Sequence, residues 1–278
     1  MSTRRPAART VLLDRALEGL PLFRLSDSAD DGAVTCTTDD GGRWRVLPAP
    51  DERLPGTFDQ DVYVEIMRRW LEAGRPEDGG IQFTLHAFLK SMGRRVDGRT
   101  YEQLRSALGR LERTVLESEG AWVDATAGAG ATASGATARF TILSAVAIDR
   151  RRMTDRDQLA LFPALASNEP GEARVVLAPQ LRGNIEAGHH TTLQSARFVA
   201  LTSPVARRLY RLIEAQAGAM PWRPTLERLA ELLPLSQRFP SHLQRVLQPA
   251  HEMLLAAGIV RIAKIEQEGK SWFAEYGR

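Results

Sequence analysis

Apolar positions recur along this chain in two rhythms, and the order of the rhythms predicts its elements. Around residues 21–47 the period is near two: Leu22, Phe23 and Leu25, then Val34-Thr35-Cys36-Thr37, then Trp44-Arg45-Val46-Leu47. Asp39-Asp40-Gly41-Gly42 separates the last two runs, and Asp-Gly or Gly-Gly between β-prone runs predicts a hairpin. Over 58–73 the period lengthens, with Val62, Ile66 and Trp70 four apart on one helical face. Ile81-Gln82-Phe83 predicts a short strand. Thr84 then predicts the N-cap of a short helix holding Leu85, Phe88 and Leu89, ended by Gly93. A longer helix follows over 99–114. Behind it lie two β-prone stretches, 115–124 and 139–148, joined by 125–138, which is almost wholly Ala, Gly, Thr and Ser.

Hairpin, helix, short strand, helix, helix, hairpin is the order of a winged helix, and it recurs. Arg174-Val175-Val176-Leu177 reads as a strand leading to Pro179. A helix is expected from Ser203-Pro204, with Ser as N-cap and Pro at the first helical position, carrying Val205, Leu209, Leu212 and Ile213. A second is expected over 222–233, and a third over 240–257, stopped by Gly258 and bent at the interior Pro249. The stretches 259–265 and 271–276 then form a hairpin across Gly269. The expected fold class is α+β with two tandem winged-helix domains. An N-terminal arm occupies 1–20, the first domain 21–150, a linker 151–173 and the second domain 174–278.

Composition changes this picture in one respect. At 43% hydrophobic and 26% charged, 278 residues are globular rather than disordered or collagen-like. The net charge is only +3, but Lys90, Lys264 and Lys270 are the only lysines among 37 basic residues. Arginine's planar fork of donors suits phosphates and guanine edges. A GC-rich coding sequence also enriches Arg, Ala and Gly together, so position has to decide. Cys36 stands alone, which excludes a disulfide framework and a Cys-based zinc site and fits a reducing cytoplasm. No apolar run approaches the roughly 18 residues that a membrane span needs. Arg4-Arg5 suggests a twin-arginine signal, but Asp14, Arg15 and Glu18 interrupt its apolar core.

Position singles out two helices. On 99–114, Leu104, Leu108 and Leu111 share one face with Val115, while Arg99, Gln103, Ser106, Arg110 and Arg113 repeat at spacings of 4, 3, 4 and 3 opposite them. Arg94 and Arg95 precede it. A third helix that buries leucines and offers Arg, Gln and Ser outward suits the major groove: Gln pairs with adenine edges, Arg with guanine or phosphate, Ser with phosphate. A solvated face with internal pairs such as Glu102 to Arg105 is the competing reading. On 240–257, Arg238, Ser241, His242, Gln244 and Arg245 gather at the start, over a stripe of Leu243, Val246, Leu247, Ala250 and Leu254. Lys264 and Lys270 lie on the hairpin that follows.

Catalytic readings fare worse. There is no Walker A sequence, and Ala133 stands where a GxGxxG phosphate loop would need glycine, so 125–138 reads as a hairpin tip. His189-His190 lacks the spacer of a His-hydrophobic-His metal motif and reads as a turn or surface pair. His86 and His251 read as packing residues, and Trp222 as a core anchor. Asp59-Gln60-Asp61 opens a helix, where carboxylates favour the dipole. The expectation is a non-enzymatic protein without cofactor or metal.

The run Phe239-Pro240-Ser241-His242-Leu243-Gln244-Arg245-Val246-Leu247-Gln248-Pro249-Ala250-His251-Glu252-Met253 resembles the "R-V-L-x-P-A-x-x-E-hydrophobic" helix of plasmid replication initiators. Residues 201–213, with Ser203, Ala206, Arg208, Leu209, Tyr210 and Leu212, resemble their "S-x-x-A-x-R-L-Y-x-L" helix. Residues 101–114 and Pro21-Leu22-Phe23 resemble the replication initiator protein A group, so that the likeness covers most of 20–278. It implies double-stranded DNA as partner, bound at repeated origin sites (iterons), a first domain that dimerises, monomers acting on the origin, and recruitment of a host helicase and host initiator. It makes 238–245 the stronger reader, and 94–113 a second DNA contact or an interface. The long uncharged stretch 125–138 departs from a phosphate-gripping wing; Arg139 and Arg150-Arg151-Arg152 flank it and could serve instead. A transcriptional repressor built from the same domains is the alternative reading. Another is a protein in which one domain binds DNA and the other binds protein.

Overall fold

The computed structural model describes residues 10–25, 32–127, 137–148 and 173–278. The start of the expected arm, most of the 125–138 tip, Arg150–Arg152 and the expected linker up to 172 lie outside them.

The chain begins with β1 (Thr10–Asp14) and one helical turn, α1 (Arg15–Glu18), whose start is capped by Asp14 accepting from the amides of Ala16 and Leu17. The predicted hairpin forms from β2 (Val34–Thr37) and β3 (Arg43–Leu47). Gly41 turns it at φ +82, and a Cβ on Gly42 would lie 2.2 Å from the Gly120 carbonyl, so both positions require glycine. The helix α2 (Thr57–Glu72) buries Val62, Ile66 and Trp70 as their spacing predicts. Next come β4 (Gly80–Phe83), α3 (Leu85–Ser91) capped by Thr84, and α4 (Gly98–Arg113) capped by Asp97.

Behind α4 the sequence expectation needs correcting. Strand β5 (Val115–Glu119) does pair with β6 (Thr137–Phe140), Leu116 facing Phe140, and completes a four-stranded sheet in the order β2-β3-β5-β6. The stretch 139–148, expected as one strand, divides: β7 (Leu143–Ile148) leaves that sheet and pairs with β8 (Ala173–Leu177). Strand β8 was expected to open the second domain. Instead it lies between β4 and β7 in a three-stranded sheet, with Val175 facing both Ile81 and Val146.

Then follow α5 (Pro179–Glu186), β9 (His190–Gln194) and α6 (Ser195–Ala200), none of which the apolar rhythm predicts. Their partners are remote: β9 pairs antiparallel with β1, Val11 facing Leu193. The described part of the expected arm is therefore a core strand rather than an extension. The remainder is α7 (Pro204–Ala215) capped by Ser203, α8 (Leu226–Leu232), α9 (Pro240–Ala256), and a hairpin of β10 (Ile262–Glu268) and β11 (Ser271–Gly277). Helix α8 starts later than the expected 222. Trp222 and Tyr276 exchange backbone hydrogen bonds of 3.0 and 2.9 Å, and Pro224 accepts from Ala274, which holds 222–225 extended against β11 until Thr225 caps the helix. Helix α9 runs through Pro249 without a break.

Helix α7 docks on the first half through buried charge. Arg208 and Arg211 are fully buried, on the same side as the apolar stripe of their helix. The Arg211 guanidinium donates to Glu18 Oε1 (2.7 Å) and Gln60 Oε1 (3.1 Å) and lies 5.1 Å from the ring centres of both Phe23 and Tyr63. Arg208 donates to the Glu18 carboxylate (3.3 Å) and to the carbonyls of Glu18 and Leu20 (3.0 and 2.7 Å). Burial pulls Arg208 down to about 10, which leaves it charged at neutral pH. Asp61 accepts from Arg94 of the first half (2.6 Å) and from Arg207 of α7. One apolar core runs through both halves, and these pairs tie the halves together across it.

Candidate nucleic-acid interface

Helix α4 buries Leu104, Ala107, Leu108 and Leu111 and starts with a closed cap. Asp97 accepts from the Thr100 amide (2.9 Å), and Thr100 Oγ1 accepts in return from the Asp97 amide (3.1 Å). Outside the leucine stripe, Arg99, Gln103 and Ser106 are exposed, and their side chains have no partner among the described residues. The other arginines on this side are answered. Arg110 lies at the edge of the buried stripe, one turn beyond Ala107, and grips buried Asp59 of α2 with two bonds of 2.9 and 3.3 Å. Arg113 donates to Glu52 (2.9 Å). Arg94 donates to Asp61 with its guanidinium 5.6 Å from the Phe58 ring centre, and Arg95 pairs at the surface with Asp97 (3.2 Å). The outward stripe is corrected at Arg110, which is largely covered and held by Asp59, while Arg94 and Arg113 are exposed but paired.

Helix α9 is arranged differently. Leu243, Leu247, Ala250 and Leu254 are buried, as the pattern predicts. His251 joins them. Its Nε2 lies 2.9 Å from the buried Tyr276 hydroxyl, and burial pulls its imidazole down to about 4, so it is neutral at ordinary pH. Ser241, His242 and Arg245 are exposed and Gln244 is half-buried. Arg245 has no carboxylate partner among the described residues. Arg238 turns back onto the carbonyls of Leu235 and Gln237. The residue at the N-cap position is Phe239, which offers no capping side chain, and Pro240 follows it. The Phe239 carbonyl accepts from the amides of His242 and Leu243, both at 3.0 Å. The helix therefore begins open, beside cations, with no carboxylate among the described residues bonded to its start.

The hairpin β10–β11 carries less free charge than expected. Lys264 lies between Glu266 (2.8 Å) and Glu275 (3.2 Å), while Arg223 holds Glu268 (3.1 Å). Lys270 is exposed at the turn, with no partner among the described residues.

Sequence reasoning missed both the pairing of Arg110 and the exposure of Phe239. A signal for the first exists. Asp59, Gln60 and Asp61 directly precede the apolar Val62-Tyr63-Val64 in α2, and carboxylates buried that way need cations brought by neighbouring elements. One further cleft, of about 690 Å³, lies between β2–β3 and α8. Its arginines Arg43, Arg45 and Arg228 are each paired, Arg228 reaching Cys36 Sγ at 3.1 Å, and burial pushes that thiol up. No helix among the described residues is long and apolar enough to cross a membrane.

The model of the family "Replication initiator protein A" matches residues 14–233. Among solved structures, the fold is similar to domains 2 and 3 of RctB. One RctB structure matches with a TM-score of 0.60 at 11% identity, over 95% of this chain and 98% of that one. A second structure of RctB domains 2–3 gives 0.51 at 11% identity, over 95% and 97%. The Pi initiator protein in complex with iteron DNA matches over 98% of this chain and 99% of that one, at 13% identity and a TM-score of 0.38. No curated protein matches the chain in sequence.

Proposed function

The chain belongs to the replication initiator protein A family, and from that premise we propose that it initiates replication by binding repeated double-stranded sites at a plasmid-type origin, through two tandem winged-helix units and without catalytic chemistry of its own. The observation that carries the reading is the open start of α9. Ser241, His242 and Arg245 are exposed there with no carboxylate partner among the described residues, beside Arg238 folded onto the preceding loop, over a helix anchored in the core by Leu243, Leu247 and Leu254. A helix held in this way can enter a major groove while its buried face stays in the protein.

Helix α4 is the weaker contact. Its free groups are Arg99, Gln103 and Ser106, and its Arg110 and Arg113 are taken up by Asp59 and Glu52. Lys270, exposed at the turn of β10–β11, would supply a phosphate contact beside α9. Recruitment of a host helicase and host initiator, a monomer–dimer equilibrium and association with the nucleoid or a plasmid complete the reading.

A footprint of the purified protein on the DNA flanking its own gene tests it. Protection of several direct repeats, each no longer than about two helical turns, is expected. Protection of a single inverted repeat would make the protein a repressor instead, and absence of any protected sequence would overturn the DNA reading.

A further inference from the structure

Of the large apolar side chains exposed among the described residues, Phe239 is the most exposed, at 70%, and the only aromatic one. It stands apart from the others. Leu255 lies at the far end of the same helix, about 24 Å away at 1.5 Å per residue. Ile262 covers Gly277 at the start of β10, and Val199 belongs to α6. A docking surface for another protein would require a contiguous apolar patch, and a single ring does not make one. What surrounds Phe239 is polar and cationic: Arg238 before it, and Ser241, His242 and Arg245 on the next turn. The ring meets the His242 imidazole edge to face, with centres 5.8 Å apart. The following Pro240 restricts the Phe239 backbone to the extended region, so the direction in which the side chain leaves the chain is set.

Resting on the DNA reading above, we infer that Phe239 is a specificity-determining residue that packs on the C5-methyl group of one thymine in each site. Its neighbours match the charge of a DNA groove. Within the major groove, the edges of adenine, guanine and cytosine offer only hydrogen-bonding groups to a side chain, whereas thymine adds a methyl group. That methyl is the largest apolar group a phenyl ring can bury against there. The arrangement divides the work within the first two turns of helix: Arg245 and Ser241 supply polar contacts, and Phe239 supplies a contact that depends on sequence without a hydrogen bond.

The probe is the fragment protected in the footprint, with each thymine in turn replaced by deoxyuridine, which lacks only the methyl. The full-length protein is expected to bind about fourfold more weakly when one particular thymine of a repeat is replaced, the worth of burying one methyl group. Phe239→Ala should bind the unsubstituted fragment more weakly by a similar factor and lose nothing further at that thymine. Phe239→Leu should keep the sensitivity, and both variants should melt as the parent does, because the ring is exposed. Equal thymine sensitivity in Phe239→Ala and the parent, or no sensitivity at any thymine in the parent, overturns the inference. Arg245→Ala on the same fragment separates the two readings. If it weakens binding while Phe239→Ala does not, DNA binding stands and the methyl contact falls. If the parent protects no fragment, both fall.

Discussion

Helices α4 and α9 carry nearly the same amphipathic design and put it to different use. Each buries a stripe of leucines and sets basic and amide side chains opposite. Around α4, the carboxylates of α2 and its approach (Glu52, Asp59 and Asp61) take up Arg113, Arg110 and Arg94. Asp97 also closes the helix start. Around the first turns of α9 the described residues supply no such set, and the start is left to an aromatic ring and a proline. A helical wheel separates apolar from polar; it does not separate polar groups facing water from polar groups facing a second element's buried carboxylate. What distinguishes the two helices is the neighbour.

Three substitutions or conditions test that distinction, in falling order of effect. Arg110→Ala removes the cation paired with buried Asp59 and leaves it the Gly56 amide (2.8 Å), and breaking a buried pair from one side should cost about 3 kcal/mol of stability. Denaturant titration should show this loss, with affinity per folded molecule for the protected fragment unchanged. A stable variant with weakened DNA binding would instead return Arg110 to the outward face. The second test concerns the buried end of α9. His251 is held neutral in the fold, so the unfolded chain takes up its proton first as pH falls. Stability should be complete above about pH 6.5 and should decline between about 6.5 and about 4, by up to about 3 kcal/mol. His251→Gln should flatten that part of the wild-type profile, as followed by urea midpoints across the range; an unchanged slope would mean that His251 is not the group that titrates.

The smallest effect falls on the open end. Arg245→Ala should leave the melting temperature alone and weaken binding to the cognate repeat by about 1–3 kcal/mol if it reads a base. If it grips a phosphate, the slope of log affinity against log salt should drop by roughly one. Unchanged affinity and unchanged slope would make the two helices alike after all.

Elements with a strong local rhythm were legible in the sequence: the 34–47 hairpin, α2, α4, α7, α9 and the last hairpin, along with the caps Thr84 and Ser203 and the stop at Gly258. What the rhythm could not carry was partnership. Nothing local in Thr10–Asp14 names His190–Gln194 as its neighbour, and nothing in Ala173–Leu177 says that it belongs between β4 and β7. The segment 179–200 escaped because its elements are short and take their stability from those remote pairings. In the candidate site, exposure of Arg99, Gln103, Ser106, Ser241, His242 and Arg245 followed from the wheel. The inward turn of Arg110 did not, nor did the burial of Arg208 and Arg211. A charged side chain reads as solvated until the carboxylate that receives it is known, and Glu18 is remote from both arginines in sequence.

The pairing of β1 with β9 also sets a timetable. Arg15 donates to the carbonyl of His190, 175 residues further along the chain. At roughly 5–20 residues per second, a ribosome would take about 10–35 s to deliver that partner after the first strand has been made. During that interval Val11 and Leu13 have no sheet to join, and Glu18 waits for Arg208 and Arg211. The first half therefore cannot finish its core until the chain has been made through Arg211. Folding is postponed to the closing stage of translation, and a nascent chain stalled before residue 190 should be far more open to proteolysis than one stalled after 215.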